Sequence, residues 1–117
     1  MKEIFIVEDD HDIRELIEFL LVSRDYKVRS FASAEAFYQQ IQAEQPDLIL
    51  LDIRLPDGNG VDICAELKTG EATASIPVVL MSAHLDRKNL KDSQADDFIP
   101  KPFDIDELTE RIKLQLT

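Results

Sequence analysis

Four places in the sequence carry polar groups at the ends of apolar runs. Ile4-Phe5-Ile6-Val7 ends in Glu8-Asp9-Asp10, and Leu48-Ile49-Leu50-Leu51 ends in Asp52. Val78-Val79-Leu80-Met81 ends in Ser82, and Phe98-Ile99 leads through Pro100 to Lys101. If the first and third runs are neighbouring strands, Glu8, Asp9 and Asp52 converge on one pocket. Three carboxylates there repel by about 4 kcal/mol per close pair at an effective dielectric of 20, so either their pKa values rise or a cation sits among them. An all-oxygen set, with no His or Cys cluster in the chain, favours Mg²⁺, with Mn²⁺ as the alternative, over zinc. A lysine and a hydroxyl facing a metal-bound carboxylate suit a dianionic phosphoryl group that comes and goes. Asp52 is then the nucleophile, and Lys101 and Ser82 are partners for phosphoryl oxygens. Transfer to an ionised carboxylate needs no general base.

The elements that position these groups follow from hydrophobic periodicity. Short apolar runs, including the weaker Lys27-Val28-Arg29-Ser30-Phe31, alternate with stretches of helical period, which reads as βαβ units. Runs without in/out alternation are strands covered on both faces, and right-handed crossovers make the sheet parallel. The expected fold is α/β: a doubly wound five-stranded parallel sheet whose ligands bind outside the carboxyl ends of the strands. Ile13, Leu16, Ile17, Leu20 and Leu21 fall on one face of a first helix. Ser33 caps a second, which carries Phe37 and Ile41 and stops before Pro46. A third runs from about Gly60 to Lys68 with Val61, Cys64 and Leu67 inward. The last starts at Asp104, with Glu107 reaching back as in a capping box, and buries Ile105, Leu108 and Ile112. Between Ala83 and Gln94 five of 12 residues are charged, so the fourth of five helices is expected to be short or irregular.

Composition sets the outer bounds. The 117 residues suit one domain, and 44% apolar content suits a folded core. With 24 Asp+Glu against 13 Lys+Arg the net charge is −11, which disfavours direct contact with nucleic acid or anionic membrane. Cys64 is the single cysteine, no apolar run approaches the ~20 residues needed to span a bilayer, and a cytoplasmic location is expected.

Several spaced motifs together resemble the receiver domains of two-component response regulators, over essentially the whole chain. Ile6-Val7-Glu8-Asp9-Asp10 is similar to the family's acidic first-strand motif. Leu50-Leu51-Asp52-Ile53-Arg54-Leu55-Pro56, with Gly60 eight residues after the aspartate, resembles the phospho-acceptor strand and its loop. Val79-Leu80-Met81-Ser82-Ala83 resembles the switch-hydroxyl strand, and Asp96-Asp97-Phe98-Ile99-Pro100-Lys101-Pro102-Phe103 the Lys-Pro-Phe ending. The resemblance implies the flavodoxin-like strand order 2-1-3-4-5 and a receiver domain over residues 1–117. It implies Asp52 as phospho-acceptor, Asp9 as a direct Mg²⁺ ligand, Glu8 as a ligand through water and the Ile53 peptide oxygen as a further ligand. Ser82 and Phe98 become a switch pair, Arg54 and His84 rim the pocket, and the Lys101-Pro102 bond is cis. Such a domain catalyses its own aspartyl phosphorylation and dephosphorylation, with a sensor histidine kinase or histidine phosphotransfer protein as donor and an output protein or domain as partner.

Plainer readings stand beside these. An acidic triplet before a helix is most often a solvated turn with a cap, and Asp10 is read as that cap. Ser82 taken alone is a strand-end hydroxyl, Lys101 a surface lysine with a buried stem, and Phe98 core. Asp52 after four apolar residues is harder to explain without a partner. The stretch from Ser82 to Lys101 is about one helical turn shorter than usual in the family, and Gln94-Ala95 stands where Gly-Ala is common. The family's common dimer face lies there, so a monomer or weak dimer is expected. With the chain stopping at Thr117, a single-domain regulator and the receiver of a longer protein are both open. A constitutive binding module and a small aspartate-nucleophile phosphohydrolase are the rival functions.

Overall fold

The computed structural model describes residues 1–83 and 94–117. In chain order the elements are β1 (Glu3–Val7), α1 (His11–Val22), β2 (Lys27–Phe31), α2 (Ala34–Ala43), β3 (Leu48–Asp52), β4 (Arg54–Leu55), β5 (Gly58–Asn59), α3 (Gly60–Thr69), β6 (Val78–Ser82), β7 (Asp97–Pro100) and α4 (Ile105–Leu116). The short helix expected between Ala83 and Gln94, and with it His84, lies outside the described residues.

Continuous apolar runs become strands covered on both faces: β1, β3 and β6 are buried at every position. The weaker run becomes β2 at one edge of the sheet, and β7 forms the other, in the order β2-β1-β3-β6-β7. Every pairing in this sheet is parallel. Leaving aside the two-residue β4-β5 hairpin, this is the 2-1-3-4-5 order of a flavodoxin-like sheet. Alternate residues feed two cores. Phe5, Val7, Ile49, Leu51 and Leu80 pack with Phe37 and Ile41 of α2 and with Ile63, Cys64 and Leu67 of α3. Ile4, Ile6, Leu48, Leu50, Val79 and Met81 pack with Ile17 and Leu21 of α1 and with Leu108 and Ile112 of α4.

The helices start where local chemistry caps them. Asp10 accepts the Ile13 amide and Ser33 the Ala36 amide, while Asp104 accepts those of Asp106 and Glu107. Rotation about the helix axes departs from the sequence reading in three places. Leu16 is 46% exposed, lining a groove with Ile13, Ala83, Pro102 and Phe103, and the sheet is covered by Ile17, Leu20 and Leu21 instead. Ile105 is 41% exposed, and it is Leu108 and Ile112 of α4 that are buried. On α3 Ile63 is buried in addition to Cys64 and Leu67, with Val61 half-buried against the same core. The Glu107 carboxylate pairs with Arg111 at 3.4 Å rather than reaching back to close a capping box.

One buried cation sets the start of β7. Lys68, its side chain 11% exposed, donates to Asp96 Oδ2 at 2.7 Å and to the Ile76 carbonyl at 2.8 Å. The same Asp96 oxygen accepts the Val78 amide at 2.8 Å. The ammonium is thus satisfied while burying its stem, and it fixes β7 beside β6, five residues before Lys101. No helix among the described residues is long and apolar enough to cross a membrane.

Candidate functional site

Strand register brings the polar ends together. Val7 pairs with Leu51, Asp52 with Met81 and Ser82 with Pro100, so Glu8, Asp52, Ser82 and Lys101 emerge at the same edge of the sheet. Glu8 is fully buried, Asp52 is 6% exposed and Ser82 3%, while Asp9 is exposed. Carboxylate oxygens of Glu8, Asp9 and Asp52 lie within 4.8 Å of one another. All three donors are hard oxygens at a spacing a divalent cation bridges, and the cluster is open to solvent through Asp9, so the residues present fit Mg²⁺.

Lys101 is the counter-charge to the cluster. Its ammonium bonds Glu8 Oε1 and stands 3.0 Å from Asp52 Oδ2, with the side chain 15% exposed. The Lys101 amide donates to the Ser82 carbonyl at 2.8 Å, and the Lys101-Pro102 peptide bond is cis. Burial pushes the Glu8 carboxyl up to about 7, and the neighbouring Asp52 adds to this while Lys101 opposes it. Burial works against the Lys101 ammonium, but its bonds to Glu8 and Asp52 outweigh that and its pKa is raised.

The acidic loop is held from α1. Arg14, half-buried, turns back along its helix to donate to the Glu8 carbonyl at 2.8 Å and to the Asp9 carbonyl at 3.4 Å. A second lock, made largely of backbone, lies after Asp52. The Ile53 carbonyl accepts the Gly60 amide at 2.7 Å, closing the neck of the β4-β5 hairpin, and the Arg54 amide donates to Asp52 Oδ1 at 3.3 Å. The Arg54 side chain itself is exposed. Phe98 is half-buried and packs against the core that contains Phe5 and Leu80.

Two parts of this arrangement do not follow from the sequence reading. Arg14 carries no spacing signal, because its reach back past the helix start depends on side-chain conformation. The hairpin has one: Pro56-Asp57-Gly58 is turn chemistry, and Asp57 lies at its tip. Cys64 is buried, as its inward place on α3 implies.

Comparison with known proteins agrees with the geometry. The family model described as the response regulator receiver domain matches residues 4–113. The transcriptional regulatory protein KdpE of Staphylococcus aureus is 35% identical over 115 residues, covering 96% of this chain and 48% of its own length. The chain thus spans about half the length of that curated relative. Among solved structures, the receiver domain of a sensor histidine kinase from Pseudomonas aeruginosa PAO1, with magnesium coordinated in its active-site cleft, superposes with a TM-score of 0.89 at 28% identity, covering 98% of this chain and 97% of that one. The response regulator TrrA of Thermotoga maritima, in complex with Mg²⁺-BeF, gives a TM-score of 0.90 at 29% identity over 99% of this chain and 100% of that one. Sheet order, the acidic edge and the match along nearly all of the sequence therefore lead to one assignment: the chain belongs to the response regulator receiver domain family.

Proposed function

We propose that Asp52 accepts a phosphoryl group from a phosphohistidine on a sensor histidine kinase or histidine phosphotransfer protein, and that this changes a partner-binding face of a receiver domain spanning residues 1–117. The observation that carries the reading is the convergence of Lys101 and three carboxylates on one sheet edge, with Lys101 Nζ 3.0 Å from Asp52 Oδ2. The ionised Asp52 oxygen attacks phosphorus; the P–N bond breaks, the imidazole nitrogen keeps its electron pair, and a P–O bond forms. Lys101 then pairs with an oxygen of the arriving group and Ser82 donates a hydrogen bond to another. Bound Mg²⁺, or Mn²⁺ in its place, supplies neutralisation of charge between the carboxylates and the phosphoryl oxygens. Asp9 and Asp52 would hold it directly and Glu8 through water. The Ile53 oxygen, which already accepts the Gly60 amide, would serve only through its second lone pair.

Ser82 and Phe98 form the switch pair in this reading. The hydroxyl moves to the phosphoryl group and the half-buried ring repacks behind it, a two-state element biased by new charge-assisted bonds. The domain works in the cytoplasm and catalyses its own phosphorylation and dephosphorylation. Magnesium in the cleft of the Pseudomonas neighbour supports the metal. The test is intact mass after incubation with a small acyl phosphate and Mg²⁺, for wild type and Asp52→Asn. One added phosphoryl group on wild type alone is expected. No adduct on a folded, Mg²⁺-binding protein, together with no capture of beryllofluoride, would leave the constitutive binding module as the better reading.

A further inference from the structure

The hairpin after Asp52 is tied down at its far end by a contact that the phospho-acceptor reading does not use. Asp57 accepts the backbone amides of Ala34 at 2.8 Å and Glu35 at 3.0 Å, the first two residues of α2. Amides in a first helical turn have no partner within the helix, and α2 already has its own cap in Ser33, which accepts the Ala36 amide at 3.2 Å. Asp57 is therefore a second cap, delivered from 23 residues away. The two amide bonds hold its carboxyl below the usual carboxylate range. Gly58 beside it lies next to α2, where an added β-carbon would stand in ordinary contact with the Ala34 β-carbon at 3.4 Å. The tip of the hairpin thus rests on the start of α2, while its neck is closed by the Gly60 amide on the Ile53 carbonyl at 2.7 Å.

Between tip and neck lies the one hydrogen bond from the hairpin to the reacting carboxylate, among the described residues, from the Arg54 amide to Asp52 Oδ1. Lys101 engages the other oxygen, Oδ2. The plane of the Asp52 carboxylate is therefore defined by a lysine on one side and a hairpin amide on the other. Two strands of two residues have too little pairing of their own to hold that amide in place, so an anchor outside the hairpin is needed. At 3.3 Å the Arg54 bond is already long, and a small outward drift of the hairpin breaks it.

We propose that Asp57 is a positioning residue for Asp52: by pinning the β4-β5 hairpin to the N-terminus of α2 it holds the Arg54 amide against Oδ1 and sets the carboxylate for attack on phosphorus. This rests on the phospho-acceptor reading for its consequence, but the anchoring itself can be measured separately.

The experiment compares wild type with Asp57→Ala, Asp57→Asn and Ser33→Ala, all at a temperature where each is folded. Ser33→Ala removes the other cap of α2 and leaves the hairpin alone, so it reports what a merely structural loss at that helix does. Two quantities are read: exchange of the Arg54 amide by NMR, and the rate of Asp52 labelling by acyl phosphate at saturating donor and Mg²⁺. Small displacements of a reacting group cost up to about 100-fold, so partial loosening in Asp57→Ala is expected to slow labelling by about 3- to 10-fold, with the donor KM unchanged. Arg54 exchange is expected to rise in the same variant. Asp57→Asn keeps one acceptor oxygen and should fall between it and wild type, and Ser33→Ala should match wild type in both readouts. Unchanged Arg54 exchange in Asp57→Ala, an unchanged labelling rate, or an equal effect in Ser33→Ala would each overturn the proposal. If wild type itself takes no phosphoryl group, the phospho-acceptor reading fails, and the Arg54 exchange comparison alone decides the anchor.

Discussion

Gly60 lies so close over Asp52 that a β-carbon at position 60 would stand 2.3 Å from the Asp52 carbonyl oxygen. The obstacle is backbone of the strand that ends in Asp52, so it cannot swing aside as a flexible side chain would. The family motif's glycine, eight residues after the aspartate, is there for close approach. Gly60→Ala is therefore expected to cost about 1–3 kcal/mol by overpacking, read as a lower urea midpoint. An unchanged midpoint would show that the hairpin neck yields more easily than this geometry implies.

Lys101→Met removes the cation that faces two buried carboxylates. Breaking a buried pair by deleting one partner costs about 3–5 kcal/mol, because the remaining charge is left uncompensated. Glu8, already pushed up to about 7, can escape that cost by taking a proton. The loss should therefore be largest at mildly alkaline pH and shrink in mild acid, measured by urea unfolding of variant and wild type at both. A loss independent of pH would show that the lysine stabilises the fold mainly through something other than its pairing with Glu8.

The raised Glu8 carboxyl also sets the sign of the wild-type pH dependence. Between its ordinary value of 4.5 and about 7 the native state binds more protons at this site than the unfolded chain. Glu8's contribution is thus fully present below the lower value and is lost as pH rises through the upper one. In chelator the melting temperature should carry a falling component across that window.

Mg²⁺ requires the ionised cluster, so millimolar Mg²⁺ should raise the melting temperature, and more so above that window than within it. Asp9→Asn, at the exposed member of the acidic cluster, should abolish most of the Mg²⁺ shift while leaving the metal-free melting curve close to wild type. No shift in wild type at millimolar Mg²⁺ would remove the metal from the proposed function.

Gln94 has φ 62°, in the left-handed region that an L-residue enters at a cost of roughly 1–2 kcal/mol. Glycine enters it freely but loses more chain entropy on folding, so Gln94→Gly is expected to stabilise by about 0.5–1 kcal/mol net in urea unfolding. Asp25, at φ 68°, should gain less, since aspartate tolerates this region through local hydrogen bonds.

Much of the fold and part of the site were legible in the sequence because they rest on local rules. Continuous apolar runs such as Leu48 to Leu51, too short for a helix and alternating with stretches of helical period, read as strands covered on both faces, and β3 is buried at every position. Asp10, Ser33 and Asp104 cap helices because their side chains reach amides two or three residues on. The polar residues ending those runs had to share an edge once the sheet was parallel. What spacing alone could not settle was the rotation of a helix about its axis, and so Leu16 and Ile105 face outward although both fit an amphipathic stripe. Nor could it settle which groups meet across long separations. The Lys101 bonds to Glu8 and Asp52 and the Asp57 cap on α2 exist only once register and side-chain direction bring distant residues within 3.5 Å. The sequence determined which groups stand at the edge of the sheet, because periodicity and capping are local. Tertiary structure decided how the carboxylate among them is held, because a hydrogen bond between residues far apart in the chain leaves no periodic trace.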